Sequence, residues 1–227
     1  MLFEVPGTLY VVATPIGNLE DITLRALRVL REVALIAAED TRQTRKLLAR
    51  YEIETPLLSF HEHSPPARLQ KILQRLESGE SVALVTDAGT PGISDPGASL
   101  VKAAHEAGIP VVPVPGASAV TAAISVSGFV ASRFRFEGFP PRKAGARKRF
   151  FEALQEEDAP IVLFESPHRL LDTLQTALEV LGDRPVVICR EMTKQFEQIF
   201  YGTLSTALQH WQQHTPRGEF VLVLGNR

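Results

Sequence analysis

Carboxylates, glycines and prolines stand directly behind short apolar runs in this sequence, and that placement is where its chemistry could arise. Glu39 and Asp40 follow the run Ala34 to Ala38, and Glu165 follows Ile161 to Phe164. A carboxylate set beside a hydroxyl can take its proton as a new bond forms, which is general-base work. Asp40 and Glu39 are the candidate catalytic pair. The alternative is that they pair with Arg42 or Arg45 and only hold the loop. Three Gly/Pro-rich segments also follow apolar runs: Thr14-Pro15-Ile16-Gly17-Asn18, Asp87-Ala88-Gly89-Thr90-Pro91-Gly92-Ile93-Ser94-Asp95-Pro96-Gly97, and Pro115-Gly116-Ala117-Ser118-Ala119. Glycine lets backbone approach a ligand, and proline fixes a turn with little entropy left to lose. One such loop can simply turn a strand into a helix; three together point to a small-molecule site.

None of these loops reads GxGxxG or GxxxxGK[ST], so the dinucleotide fingerprint and the phosphate-cradling loop are both absent. A ligand held mainly by backbone, without a lysine for phosphates, suits an adenosyl group attached to an amino acid. His61-Glu62-His63 would place two imidazoles at alternate positions of a strand, but no third or fourth ligand is near in sequence, and we expect no metal. Ser166 and His168 sit at the start of a helical pattern, where a capping role fits better than a nucleophile and its base. The single cysteine, Cys189, excludes an intramolecular disulfide and reads as a buried structural thiol.

Cations recur in two places. Arg42, Arg45, Lys46 and Arg50 have helical spacing, while Arg133, Arg135, Arg142, Lys143, Arg147, Lys148 and Arg149 flank a Pro-Pro turn interleaved with Phe134, Phe136 and Phe139. Phosphate neutralisation plus aromatic stacking is what RNA binding needs. A solvated charged face, with the phenylalanines on the inner side of a strand, would read the same. Gly138, Gly145 and Ala146 would leave the second basic segment free to act as a lid.

The elements that must position these groups follow from periodicity. Thr8 to Ala13, Ala34 to Ala38, Leu57 to Phe60, Val82 to Val85 and Val111 to Val114 are strand-like runs separated by amphipathic segments, as in Leu69, Ile72, Leu73 and Leu76. That rhythm predicts βαβ units and a parallel sheet. Asp21 ahead of Leu24, Leu27 and Leu30 is the expected helix cap. A junction near Ser118 to Gly128 gives an N-terminal α/β domain, 1–120, and a C-terminal mixed α/β domain, 121–227. The latter has strand runs at Ile161 to Phe164, Val186 to Cys189, Gln198 to Tyr201 and Phe220 to Leu224, and helices at Leu170 to Leu181 and Thr203 to Gln213. With 227 residues, 44% hydrophobic and 22% charged, the chain can bury a sizeable core. A net charge of −2 leaves room only for a local nucleic-acid patch. No apolar stretch reaches the roughly 20 residues of a membrane helix and no secretory leader is evident, so the expected compartment is the cytoplasm.

GTLYVVATPIGNLEDITLRAL, AEDTR, VTDAGTPGISDPG, VPGASA, FESPHR, REMTK and GEFVLV occur together and in order, from about Gly7 to Leu224. On these motifs the chain resembles the tetrapyrrole methylase superfamily, and within it the branch that methylates small-subunit ribosomal RNA. The resemblance implies a two-domain α/β fold, S-adenosylmethionine in a cleft between the domains, a homodimer, and 2'-O-methylation of a cytidine in the decoding region of 16S rRNA. By position it implies cofactor contacts from Pro15 and Ile16, from Gly89, Thr90, Pro91 and Ile93, and from Ser118 and Ala119. Phe164, Glu165, Met192 and Phe220 would wall the adenine. Tetrapyrrole-modifying relatives usually carry Gly-Asp-Pro where this chain has Gly89-Thr90-Pro91, which favours the RNA branch. The rival readings are methylation of a tetrapyrrole carbon and a non-catalytic rRNA-binding module.

Overall fold

The structure is a computed structural model that describes residues 5–95, 97–130 and 132–226. It divides into two compact units, one closing at Ser118 and the other opening at Ala119. The first contains β1 (Leu9–Val12), α1 (Leu24–Glu32), β2 (Leu35–Ala38), α2 (Thr41–Arg50), β3 (Leu57–Ser59), α3 (Pro66–Glu77), β4 (Val82–Val85), α4 (Ala98–Glu106) and β5 (Val111–Val114). Every residue of β2 and β4 is buried, as expected of parallel strands covered on both faces.

The sheet order is β3-β2-β4-β1-β5, with Leu9 opposite both Val82 and Val111. From β1 the chain moves toward β2 and β3; from β4 it crosses to the far side, to β5. The neighbours β1 and β4 therefore send their helices to opposite faces. Val12, Ile36 and Val85 pack with Leu27, Leu30 and Leu47 of α1 and α2, whereas Leu9 and Leu84 pack with Ile72, Leu76 and Leu100 of α3 and α4. The carboxyl ends of β1 and β4 are thus the switch point where open α/β sheets bind ligands.

Local signals explain most element ends. Pro66 opens α3, and Gly79 at φ +89° follows its last turn. The cap of α1 is Thr23, not Asp21: Asp21 is used in a 3-10 turn, Leu19–Asp21, and Thr23 Oγ1 accepts from Ala26 N–H at 3.1 Å.

The second unit contains α5 (Ala119–Ser127), β6 (Arg135–Phe136), α6 (Ala144–Glu152), β7 (Ile161–Glu165), α7 (Leu170–Leu181), β8 (Pro185–Arg190), β9 (Gln198–Thr203), α8 (Leu204–Gln213) and β10 (Phe220–Leu224). Its sheet, β6-β7-β10-β8-β9, is antiparallel except for β6 and β7. Helix α5 covers one face through Val120 and Ala123 on Val162, Val187 and Val223, which draws Ala119 and Val120 into this unit rather than the first. Helices α6, α7 and α8 cover the other face around Leu163, Ile188 and Leu222. Among the described residues, no helix is long and apolar enough to cross a membrane.

Candidate active site

The loops after β1, β4 and β5 are knitted together at the switch point. Thr14 and Gly89 form an isolated antiparallel bridge, with N···O distances of 2.9 and 3.0 Å. Thr14 Oγ1 donates to Thr86 O at 3.0 Å, and Thr90 Oγ1 donates to Ala117 O at 3.3 Å. Gly89 adopts φ +85°, and a Cβ on Gly116 would lie 3.1 Å from Ala13 Cβ, so both glycines answer a backbone requirement. Pro15, Gly89 and Pro91 are buried, Ile16, Thr90 and Ser118 half-buried, and Ile93 is 45% exposed. Ala119 starts α5. Pro96 lies outside the described residues.

Beside these loops, beyond the ends of β3, β2 and β4, is a cavity of about 460 Å³ bounded by Glu39, Asp40, Arg42, Ser59, His61 and Asp87. Glu39 Oε2 accepts from Thr86 Oγ1 at 2.7 Å and from Asp87 N–H at 3.3 Å, while Asp87 Oδ1 accepts from Asp40 N–H at 2.9 Å. Asp40 takes the loop-holding alternative. Its carboxylate caps α2 through Arg42 N–H at 2.8 Å and grips the Arg42 guanidinium at 2.6 Å. The hydrogen bonds from the Arg42 side chain and backbone hold its pKa down to about 2, too low for a useful base. Sequence reasoning passed over Asp87 and Asp95. Burial, reinforced by Glu39 and Asp87 against a hydrogen bond with Thr86, pushes Asp95 up to about 6. No local pattern announces this, because Thr86 and Glu39 reach Asp95 only through the fold.

In the second unit the four expected adenine contacts separate. Phe164 and Met192 lie on the α5 side of the sheet, where Phe164 packs edge-on against Phe136 at 4.9 Å. Glu165 and Phe220, paired across β7 and β10, face the other way. The Glu165 side chain is fully buried, accepting from Thr173 Oγ1 at 2.6 Å and paired with Arg169 at 2.7 Å. Phe220 is 2% exposed and packs on Trp211. Their side chains are therefore core groups, and the expectation that they wall a cofactor is corrected.

The basic residues also divide. Arg42, Arg45, Lys46 and Arg50 are exposed on α2, and Arg142, Lys143, Lys148 and Arg149 are exposed in and before α6. Arg147 is 5% exposed and donates to Thr176 Oγ1 at 3.1 Å, Arg142 O at 3.3 Å and Asp172 at 3.3 Å; it is a packing group, not a surface cation. Arg133 pairs with Asp158, and Arg135 with Glu137 and Glu157. Of the segment expected as a lid, Gly145 and Ala146 lie in helix α6, anchored by the fully buried Phe151 against Leu170 and Leu174, whereas Gly138 lies in the loop before it.

His61 and His63 lie in a turn beyond β3 rather than on a strand, closed by Ser64 N–H to His61 O at 2.8 Å. Among the described residues, no group of three or more His, Cys, Asp or Glu is placed to hold a metal ion. Ser166 does not cap α7, whose N-cap is Arg169; Ser166 accepts from Arg169 Nε at 3.2 Å instead. Burial pushes the Cys189 thiol up to about 12, an inert core group.

Comparison with known proteins fits this architecture. The profile of the Tetrapyrrole (Corrin/Porphyrin) Methylases matches residues 8–208. A Thermotoga maritima protein named ribosomal RNA small subunit methyltransferase I is 52% identical over 97% of this chain and 99% of its own length. A Bacillus subtilis protein of the same name is 49% identical over 96% of this chain and 75% of its own. Among solved structures, diphthine synthase superposes with a TM-score of 0.76 at 16% identity, covering 96% of this chain and 90% of the other. Uroporphyrin-III C-methyltransferase from Thermus thermophilus, complexed with S-adenosyl homocysteine, gives 0.66 at 19% identity, covering 96% and 97%. With its switch-point loops, its two sheets and a profile match over most of its length, this chain belongs to the tetrapyrrole methylase family.

Proposed function

We propose that this chain transfers a methyl group from S-adenosylmethionine to the ribose 2'-hydroxyl of a cytidine in the decoding region of 16S rRNA, acting as a homodimer on the assembled small ribosomal subunit. The observation that carries the reading is the name shared by relatives about half identical over nearly the whole chain. The cytidine, its 2'-oxygen and the homodimer rest on the motif resemblance.

The residues present fit the cofactor. Segments 14–18, 87–97 and 115–119 contain neither lysine nor arginine, which suits a ligand without phosphates held by backbone groups. Pro15, Ile16, Gly89, Thr90, Pro91, Ile93, Ser118 and Ala119 are its proposed contacts in the loops, with Phe164 and Met192 as proposed apolar contacts of the adenine in the second unit. S-adenosylmethionine supplies, when bound, a methyl group open to attack by an oxygen nucleophile. The protein's share is to orient the hydroxyl, exclude water and accept its proton. Glu39 is the proposed acceptor, because Thr86 and Asp87 fix its carboxylate without a cation consuming it. Arg42, Arg45, Lys46, Arg142, Lys143, Lys148 and Arg149 are the proposed phosphate contacts.

The deciding experiment supplies labelled S-adenosylmethionine to small subunits that lack the modification, followed by nuclease digestion and mass spectrometry. Labelled 2'-O-methylcytidine is expected. Label found only on an added tetrapyrrole would overturn the reading, as would rRNA binding indifferent to S-adenosylmethionine with no transfer. Light scattering checks the homodimer.

A further inference from the structure

The cavity beyond β3, β2 and β4 has a polarity that the methyl-transfer reading does not require. Its volume of about 460 Å³ can take a nucleobase and part of its sugar. Its lining combines the carboxylates of Glu39, Asp40 and an exposed Asp87 with the donor-capable Thr41, Arg42, Ser59 and His61. Asp87 Oδ1 is used by Asp40 N–H, while Asp87 Oδ2 and Glu39 Oε1 accept no hydrogen bond among the described residues. Arg42, the cation in the same wall, meets Asp40 through Nε and one terminal nitrogen, and its side chain is 85% exposed. Arg45 lies three residues beyond Arg42 and four beyond Thr41, so it shares their side of α2. The arrangement sets free carboxylate oxygens beside exposed cations.

That juxtaposition matches one nucleotide of a single strand, its base on the carboxylates and its phosphates on the cations, and it discriminates between pyrimidines. Cytosine presents an amine donor where uracil presents a carbonyl acceptor, and a carboxylate accepts from the first and repels the second. Arg42 in the wall disfavours a metal cation as the occupant.

We propose that this cavity receives the base of the target nucleotide and selects cytosine over uracil, Asp87 accepting from the exocyclic amine while Arg42 and Arg45 meet the flanking phosphates. The inference rests on the proposed RNA methylation and adds to it the residue that reads the base. Asp87 is a specificity group here, separate from the proton acceptor Glu39.

The test compares kcat/KM on unmodified small subunits bearing either cytidine or uridine at the position the wild-type protein methylates. The wild type should favour cytidine by at least about tenfold, the value of one well-made base contact. Asp87→Asn keeps an acceptor for Asp40 N–H and gains an amide donor for a uracil carbonyl, so the ratio should collapse toward one with S-adenosylmethionine affinity unchanged. Arg42→Gln should slow both RNAs alike and leave the ratio intact. A cytidine preference that survives Asp87→Asn, or a wild type without preference, overturns the base-reading role alone. No transfer to either RNA by the wild type overturns the proposed function and this inference with it.

Discussion

The backbones of Thr14 and Gly89 exchange two hydrogen bonds outside either strand, pinning the loop after β1 to the loop after β4 where the sheet changes direction. The pairing depends on Gly89 holding φ +85°, a conformation that costs a residue with a side chain about 1–2 kcal/mol. A Cβ there would meet Ile16 Cγ2 at 3.5 Å and Ala117 O at 3.8 Å, so space is adequate and backbone strain is the main cost. Gly89→Ala should therefore lower stability by about 1–2 kcal/mol in urea unfolding. It should also weaken S-adenosylmethionine binding by calorimetry. Unchanged stability would mean that the bridge relaxes freely and does not define the loop.

Arg147 and its neighbours should respond oppositely to truncation. Arg147→Ala removes the hydrogen bonds to Thr176 Oγ1 and Arg142 O and deletes the side chain of a residue only 5% exposed, for a loss of about 2 kcal/mol. Lys148→Ala and Arg149→Ala should stay within about 0.5 kcal/mol of the parent in stability. They should also reduce the slope of log K against log salt for RNA by about 0.7 for each phosphate that is no longer neutralised. A salt dependence that moves with Arg147 and not with the other two would reverse the assignment.

How much of this was legible in the sequence differs by scale. Val82–Val85, Val111–Val114 and Phe220–Leu224 have the bounds expected from their apolar runs, because turn residues punctuate them. The order β3-β2-β4-β1-β5 was not readable, since it depends on pairings between distant segments. Nor was β6, only two residues long. The adenine wall carried a signal that went unused: strand side chains alternate, so Phe164 and Glu165 cannot face the same way. Arg147 likewise sits one helical turn before the buried Phe151, on the inward side of α6. Charge counting treated it like Lys148.

That alternation separates Phe164 from Glu165 experimentally. Glu165→Gln keeps a bonding partner for Thr173 but removes the buried charge facing Arg169, which should cost about 1–3 kcal/mol. S-adenosylmethionine affinity should stay within about twofold of the parent. Phe164→Ala should weaken binding at least about tenfold, since it strips an apolar side chain from the α5 side of the sheet. A binding loss confined to Glu165→Gln would restore Glu165 to the cofactor site.

Asp95 gives the stability of the first unit a pH dependence of definite sign. Its folded pKa of about 6 lies above the value near 4 expected for the unfolded chain. Between those limits the folded state holds a proton that the unfolded state has released, so raising the pH through this window removes stability. Above pH 6 the full penalty of a half-buried carboxylate remains. Asp95→Asn carries no charge to bury, and at pH 7.5 it should exceed the parent by about 1–2 kcal/mol, the shift being discounted for solvent screening. That corresponds to a Tm about 2–8 °C higher, with the two proteins converging toward pH 4. Thermal unfolding from pH 4 to 8 checks this. An asparagine variant less stable at every pH would show that the folded protein favours the ionised carboxylate, contrary to the burial argument.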